Sequence, residues 1–243
     1  MNDSSKKWKA RLLSSSLPLE YEVSKILSRY NFTTSFDFSY SRQEGEAQKE
    51  FSIDIHATAF EPFSDPNKIN ATLTILSECK FREEGKIWAF LPDVNSPDYS
   101  DFTLGNTVKC IDSFSMKRLN MSPIYEFESQ FEYSSKGTEI GITTGEVFDK
   151  DLRHGISQLK YGLPYVLKDN IEFQVYNHIE EATPFFIAPI LITNADLYIF
   201  DKNLAIETIK DTNSIEDIAA KNSIYHFWRR HRTRFCQPSQ TNF

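Results

Sequence analysis

Leu73-Thr74-Ile75-Leu76-Ser77-Glu78-Cys79-Lys80-Phe81, preceded upstream by Ile53-Asp54-Ile55, is the stretch on which the reading of this chain turns. Both runs have the apolar, β-branched make-up of strands. A strand sends alternate side chains to opposite faces, so Glu78 and Lys80 point one way and Cys79 the other. Two carboxylates, Asp54 and Glu78, and one ammonium can then converge at one edge of a sheet. Hard cations take oxygen ligands, and magnesium needs only one or two carboxylates beside water and phosphate. A lysine at the same place can offset developing charge or assist a water, so the implied chemistry is phosphodiester hydrolysis. The same residues could instead decorate the solvent face of a half-exposed strand.

The order of the neighbouring segments carries more. Leu19, Val23, Ile26, Leu27 and Tyr30 recur at helical spacing, with Pro18 suited to the start of that helix and Asn31 to its end. Phe36, Phe38 and Tyr40 alternate with polar residues, which predicts a strand over 32–40. A charged, hairpin-like connection over 41–49 leads into a second strand around Asp54, and the Glu78 strand follows.

Over residues 17–82 this order resembles the PD-(D/E)xK superfamily of restriction-endonuclease-like nucleases. The resemblance rests on Leu19-Glu20 in the opening helix, on Asp54, and on Glu78-Cys79-Lys80. Ile53 stands where that family often has proline, and no recognisable helix follows Lys80 directly. The resemblance implies an α/β (α+β) fold, a central mixed β-sheet flanked by helices, with an elaboration after the catalytic strand at about 85–148. It implies a divalent-metal-dependent nuclease, acting first on DNA, in which Asp54, Glu78 and the backbone carbonyl of Cys79 hold Mg2+ or Mn2+. Lys80 would act on the water or the scissile phosphate and Glu20 would be an auxiliary acid. Gln158, in Gly155-Ile156-Ser157-Gln158-Leu159, matches a glutamine on a helix after the catalytic strand in several such nucleases; a surface glutamine is the other reading. A non-catalytic module that keeps the fold for nucleic-acid or protein binding is the alternative function.

Helix geometry alone does not separate Glu20 from Glu22, since both flank the apolar stripe and either could be a first-turn acid complementing the helix dipole. His56 reads first as a core histidine and second as a proton-transfer or metal group. Cys79 would face away from Glu78 and Lys80, which fits a small buried hydrophobe better than a nucleophile.

Composition bounds the rest. A chain of 243 residues with 40% apolar and 14% aromatic residues has ample material for a buried core. The reading is one domain over 17–243 behind a flexible amino-terminal tail, 1–16. No run is long and apolar enough to span a membrane, and the first residues lack a signal-peptide core, which predicts a cytoplasmic protein. Three unpatterned cysteines fit a reducing compartment. A net charge of −7 argues against a protein that coats nucleic acid indiscriminately, but a cleft needs only a local positive field. Arg229, Arg230, Arg232 and Arg234, interleaved with Trp228 and Phe235, could contact phosphates and stack on bases, or could close a terminal helix over 215–230. With 8 glycines and no phosphate-loop pattern, a nucleotide cradle is not indicated. A helix is expected over 151–167 on the stripe Leu152, Ile156, Leu159, Leu163, weakened by Gly162 and Pro164. Two buried strands are expected at 185–193 and 197–200, and a homodimer is compatible with the sequence.

Overall fold

A computed structural model describes residues 3–61, 71–92, 94, 133–176, 185–222 and 226–227. Two mixed sheets flanked by helices make up the fold, where a single central sheet was expected. The first has strand order β1-β2-β3-β7, built from Thr33–Glu44, Ala47–Glu61, Ala71–Lys80 and Phe185–Thr193. Strands β1, β2 and β3 are antiparallel neighbours, and β7 runs parallel to β3. The second sheet has order β10-β5-β4-β8-β9, with β6 added on β5. Its strands are β4 (Lys86–Pro92), β5 (Tyr133–Gly141), β6 (Val147–Phe148), β8 (Asp196–Phe200), β9 (Ala219–Asn222) and β10 (His226–Phe227).

Asn194 joins the two sheets. It accepts from the Arg82 backbone N–H at 2.6 Å and donates to the Arg82 carbonyl at 2.7 Å. Its amide therefore does the work of one ladder position between the parallel pairs β3/β7 and β4/β8.

Helix α1 spans Asp3–Leu13, within the segment expected to be a flexible tail, and α2 spans Leu17–Arg29. Leu19, Val23 and Leu27 of α2 pack on Ile55, Ala57 and Cys79. Ile26 and Tyr30, expected on the same stripe, are exposed. Asn31 takes the left-handed conformation that ends a helix, φ 64°. On the other side of the first sheet lies α3, Lys150–Tyr176, continuous through Pro164 and longer than the expected helix. Proline removes one hydrogen bond, but Leu159, Leu163 and Val166 pack on Ile53 and Leu76 on both sides of it, and packing outweighs propensity. Gly162 faces the sheet at the closest approach, where a Cβ would overlap Ile53 Cδ1.

The segment read as a connection, 41–49, is instead laddered almost to its tip. Arg42 pairs with Lys49 and Glu44 with Ala47, leaving the two-residue turn Gly45-Glu46, in which Gly45 has φ 63° as a type II′ hairpin requires. Strand β7 is an edge rather than a buried strand, consistent with Pro189 in its middle. The expected terminal helix over 215–230 is not formed in its described part: 215–217 is a 3₁₀ turn and 219–222 is β9. Residues 219–222 pair antiparallel with β8 in place of a helix. Helix α4, Ile206–Asp211, precedes that turn. Among the described residues no helix is long and apolar enough to cross a membrane. Most of the elaboration at 85–148, and all four carboxy-terminal arginines, lie outside the described residues.

Because Gly162 sits against Ile53, Gly162→Val should lower unfolding stability by about 1–3 kcal/mol through overpacking. Urea unfolding should show the lower midpoint; an unchanged midpoint would mean that α3 does not sit this close to β2.

Candidate metal and phosphodiester site

The apolar alternation of β2 breaks at Asp54. Ile53 packs with Leu159 and Val166 on the α3 side, whereas Ile55 packs with Val23 and Cys79 on the α2 side. Residues two apart on a regular strand share a face, so the strand turns over between them. The opposing position in β1 is irregular too: Asp37, between the pairs Phe36↔Ile55 and Phe38↔Ile53, has φ 55°. Aspartate is among the few residue types that enter this region readily. The consequence is a polar interruption in the middle of an apolar sheet.

Asp54 uses it to accept a hydrogen bond from the Cys79 backbone N–H at 2.6 Å. That bond holds its carboxylate beside the end of β3. Glu78 and Lys80, on the α3 face of that strand, form an ion pair through Glu78 Oε1. Lys80 Nζ also donates to Gln158 Oε1 at 3.3 Å, and Gln158 Nε2 donates to the Ser52 carbonyl at 3.1 Å. Gly155, one turn before Gln158 on α3, lets the helix close on these side chains: a Cβ there would lie 3.3 Å from Lys80 Cε and 3.4 Å from Glu78 Cγ. Glu20, on the first turn of α2, lies within electrostatic range of Asp54, Asp37 and Lys80. The five side chains singled out from sequence, Glu20, Asp54, Glu78, Lys80 and Gln158, thus gather from four elements.

Their titration reflects crowding. Burial pushes Glu78 up to about 7, against the opposing pull of the Lys80 hydrogen bond and charge. Burial also raises Asp54, with the Cys79 N–H and Lys80 working the other way, and raises Glu20, with Asp54 and Asp37 adding to the rise. Glu78 Oε2 is buried with no hydrogen-bond partner. The Asp54 backbone N–H also pulls the Glu78 carboxyl down against burial, and desolvated carboxylates held above their usual range are the electrostatic environment that a cation relieves. Among the described residues no group of three or more His, Cys, Asp and Glu side chains forms a ligand shell. Of the expected ligands, Asp54 is held to β3 through the Cys79 N–H, and Glu78 and Cys79 belong to β3 itself.

Sequence reading missed Asp37. Its exposed carboxylate helps raise both Glu20 and Asp54. The only trace of it was a polar residue between Phe36 and Phe38, the ordinary pattern of a half-exposed strand. His56 is half-buried: its ring stacks on Phe38 at 5.3 Å between centroids, and burial lowers its pKa. Cys79 is buried, and burial lifts its thiol to about 12, which removes it as a nucleophile at neutral pH.

No protein-family model matches the chain, and neither a curated protein nor a solved structure matches it.

A pH dependence follows from Glu78. Its folded pKa lies above the ordinary carboxylate value of 4.5, so the stability linked to its protonated form is complete below 4.5 and is lost as pH rises through about 7. Metal-free protein should therefore unfold more readily at pH 8 than at pH 5. Glu78→Gln, which mimics the protonated form, should be more stable than the wild type at pH 8 by about 1–3 kcal/mol and similar to it near pH 4.5. Chemical denaturation at both pH values measures this; a wild type that gains stability from pH 5 to pH 8 relative to the variant contradicts it.

Proposed function

We propose that the chain is a divalent-metal-dependent nuclease of the restriction-endonuclease-like kind, acting on the phosphodiester bonds of nucleic acid and of DNA first. One observation carries this: Asp54, the Glu78–Lys80 pair and Gln158, from three separate parts of the sequence, are brought together at the end of β3, where Glu78 Oε2 is buried without a hydrogen bond. The order helix, strand, strand, strand on which the sequence likeness rests is also the order α2, β1, β2, β3 of the folded elements.

In this reading Asp54, Glu78 and the Cys79 carbonyl hold Mg2+ or Mn2+, which when bound would polarise a phosphoryl oxygen and lower the pKa of a water. Lys80 neutralises charge at the phosphate. Gln158 also holds the Lys80 ammonium and is itself held by the Ser52 carbonyl, so the ammonium stands in a fixed place before substrate arrives. Glu20 orients water from α2. Any nucleic-acid contact by Arg229, Arg230, Arg232 and Arg234 adds affinity without sequence information.

Asp54→Ala and Glu78→Ala should abolish magnesium-dependent cleavage of a labelled DNA. Lys80→Ala should keep manganese binding by calorimetry and lose roughly 10²- to 10⁴-fold in rate. Glu20→Gln should slow cleavage more than Glu22→Gln, with little change of melting temperature in either. Cleavage by purified Asp54→Ala at the wild-type rate would assign the activity to other residues, and a wild type that binds manganese but cleaves neither DNA nor RNA would make this a binding module.

A further inference from the structure

Two residues beyond Lys80, Arg82 enters a buried polar network that the proposed chemistry does not use. Its Nε donates to Glu139 Oε2 at 2.6 Å, and its Nη1 donates to the Phe81 carbonyl at 2.5 Å. Nη2 stands 3.1 Å from Asp151 Oδ2, close enough for an ion pair though not aligned as a hydrogen bond. The guanidinium lies over Trp88, 5.5 Å from the ring centroid. Glu139, 2% exposed on β5, also accepts from Trp88 Nε1 at 3.0 Å and has Lys86 Nζ 3.5 Å from its Oε1.

These contacts tie three elements at one point. Arg82 follows β3, Glu139 belongs to the second sheet, and Asp151 is in the first turn of α3. One turn past Asp151 is Gly155, against Lys80 Cε, and then Gln158, which holds Lys80 Nζ. A shift of the α3 start relative to the end of β3 would therefore separate Gln158 from Lys80. Ion pairs in a core are seldom better for stability than apolar residues of the same volume, so stability alone does not account for one at this junction.

We propose that Arg82 and Glu139 are a positioning pair that fixes α3 against the end of β3 and thereby sets where the Lys80 ammonium stands. The proposal rests on the nuclease reading for its catalytic consequence, but not for its geometry. Arginine suits the task because its planar fork fixes direction as well as charge, which lysine cannot do.

Three variants test it: Glu139→Gln, Arg82→Lys, and the charge-free pair Arg82→Met with Glu139→Met. Readouts are the 13Cε NMR signal of Lys80, manganese affinity by calorimetry, and the rate at saturating DNA and metal. All three variants should move the Lys80 signal toward that of an unrestrained lysine and lower the rate roughly 10- to 100-fold, with manganese affinity retained. The double Met variant should do so while being at least as stable as the wild type, which separates positioning from stability. Lys221→Ala, which breaks an exposed pair with Asp196 on the second sheet, should change nothing. A folded double Met variant with the wild-type Lys80 signal overturns the proposal; if that variant does not fold, the same signal in Glu139→Gln decides. Should the wild type cleave nothing, the function fails by itself and the NMR signal still decides the positioning.

Discussion

The buried carboxylate of Glu78 constrains everything around it. A group this desolvated would be neutral or expelled unless its neighbours supplied charge and direction. Lys80 supplies the charge, one oxygen of Glu78 being paired with its ammonium. Gln158 on α3 also holds the lysine, and Gly155 lets the helix come close enough to do it. The second oxygen is buried without a hydrogen bond, and Asp54 is held close by through the Cys79 N–H.

Asp54 reaches the same place by a different device. A regular β2 would have kept Ile53 and Ile55 on one face, but they pack on opposite helices, and the turnover between them presents Asp54 to the Cys79 N–H. The opposing residue is Asp37 in a left-handed conformation. Local irregularity in both strands therefore places an acid at the end of β3. Such departures from ideal strand geometry are costly and concentrate where function needs a side chain aimed off the regular direction.

Much of this was legible in the sequence because it depends on short-range pattern. Period-two spacing placed Glu78 with Lys80 and turned Cys79 to the other face, where the fold packs it against α2. The stripe Leu152, Ile156, Leu159, Leu163 placed α3 but not its full length, because the local cost of Pro164 is visible in sequence and the compensating contacts with Ile53 and Leu76 are not. The division into two sheets was not legible, since it depends on how β4 pairs with β5 and β8 across long separations. Nor was Asp37, whose importance is a backbone dihedral opposite Asp54. The Arg82–Glu139 network was equally hidden: its partners are far apart in sequence, and charged residues in strands read as solvated faces until burial shows otherwise.

A cation held by Asp54 and Glu78 is the central requirement of the proposed chemistry. Anomalous diffraction from crystals grown with manganese measures this directly. The expected result is a peak within ordinary metal–oxygen distance, about 2.0–2.2 Å, of a carboxylate oxygen from each of the two residues. Well-ordered Asp54 and Glu78 side chains with no anomalous peak between them at millimolar manganese, or a peak held only by other residues, would contradict it.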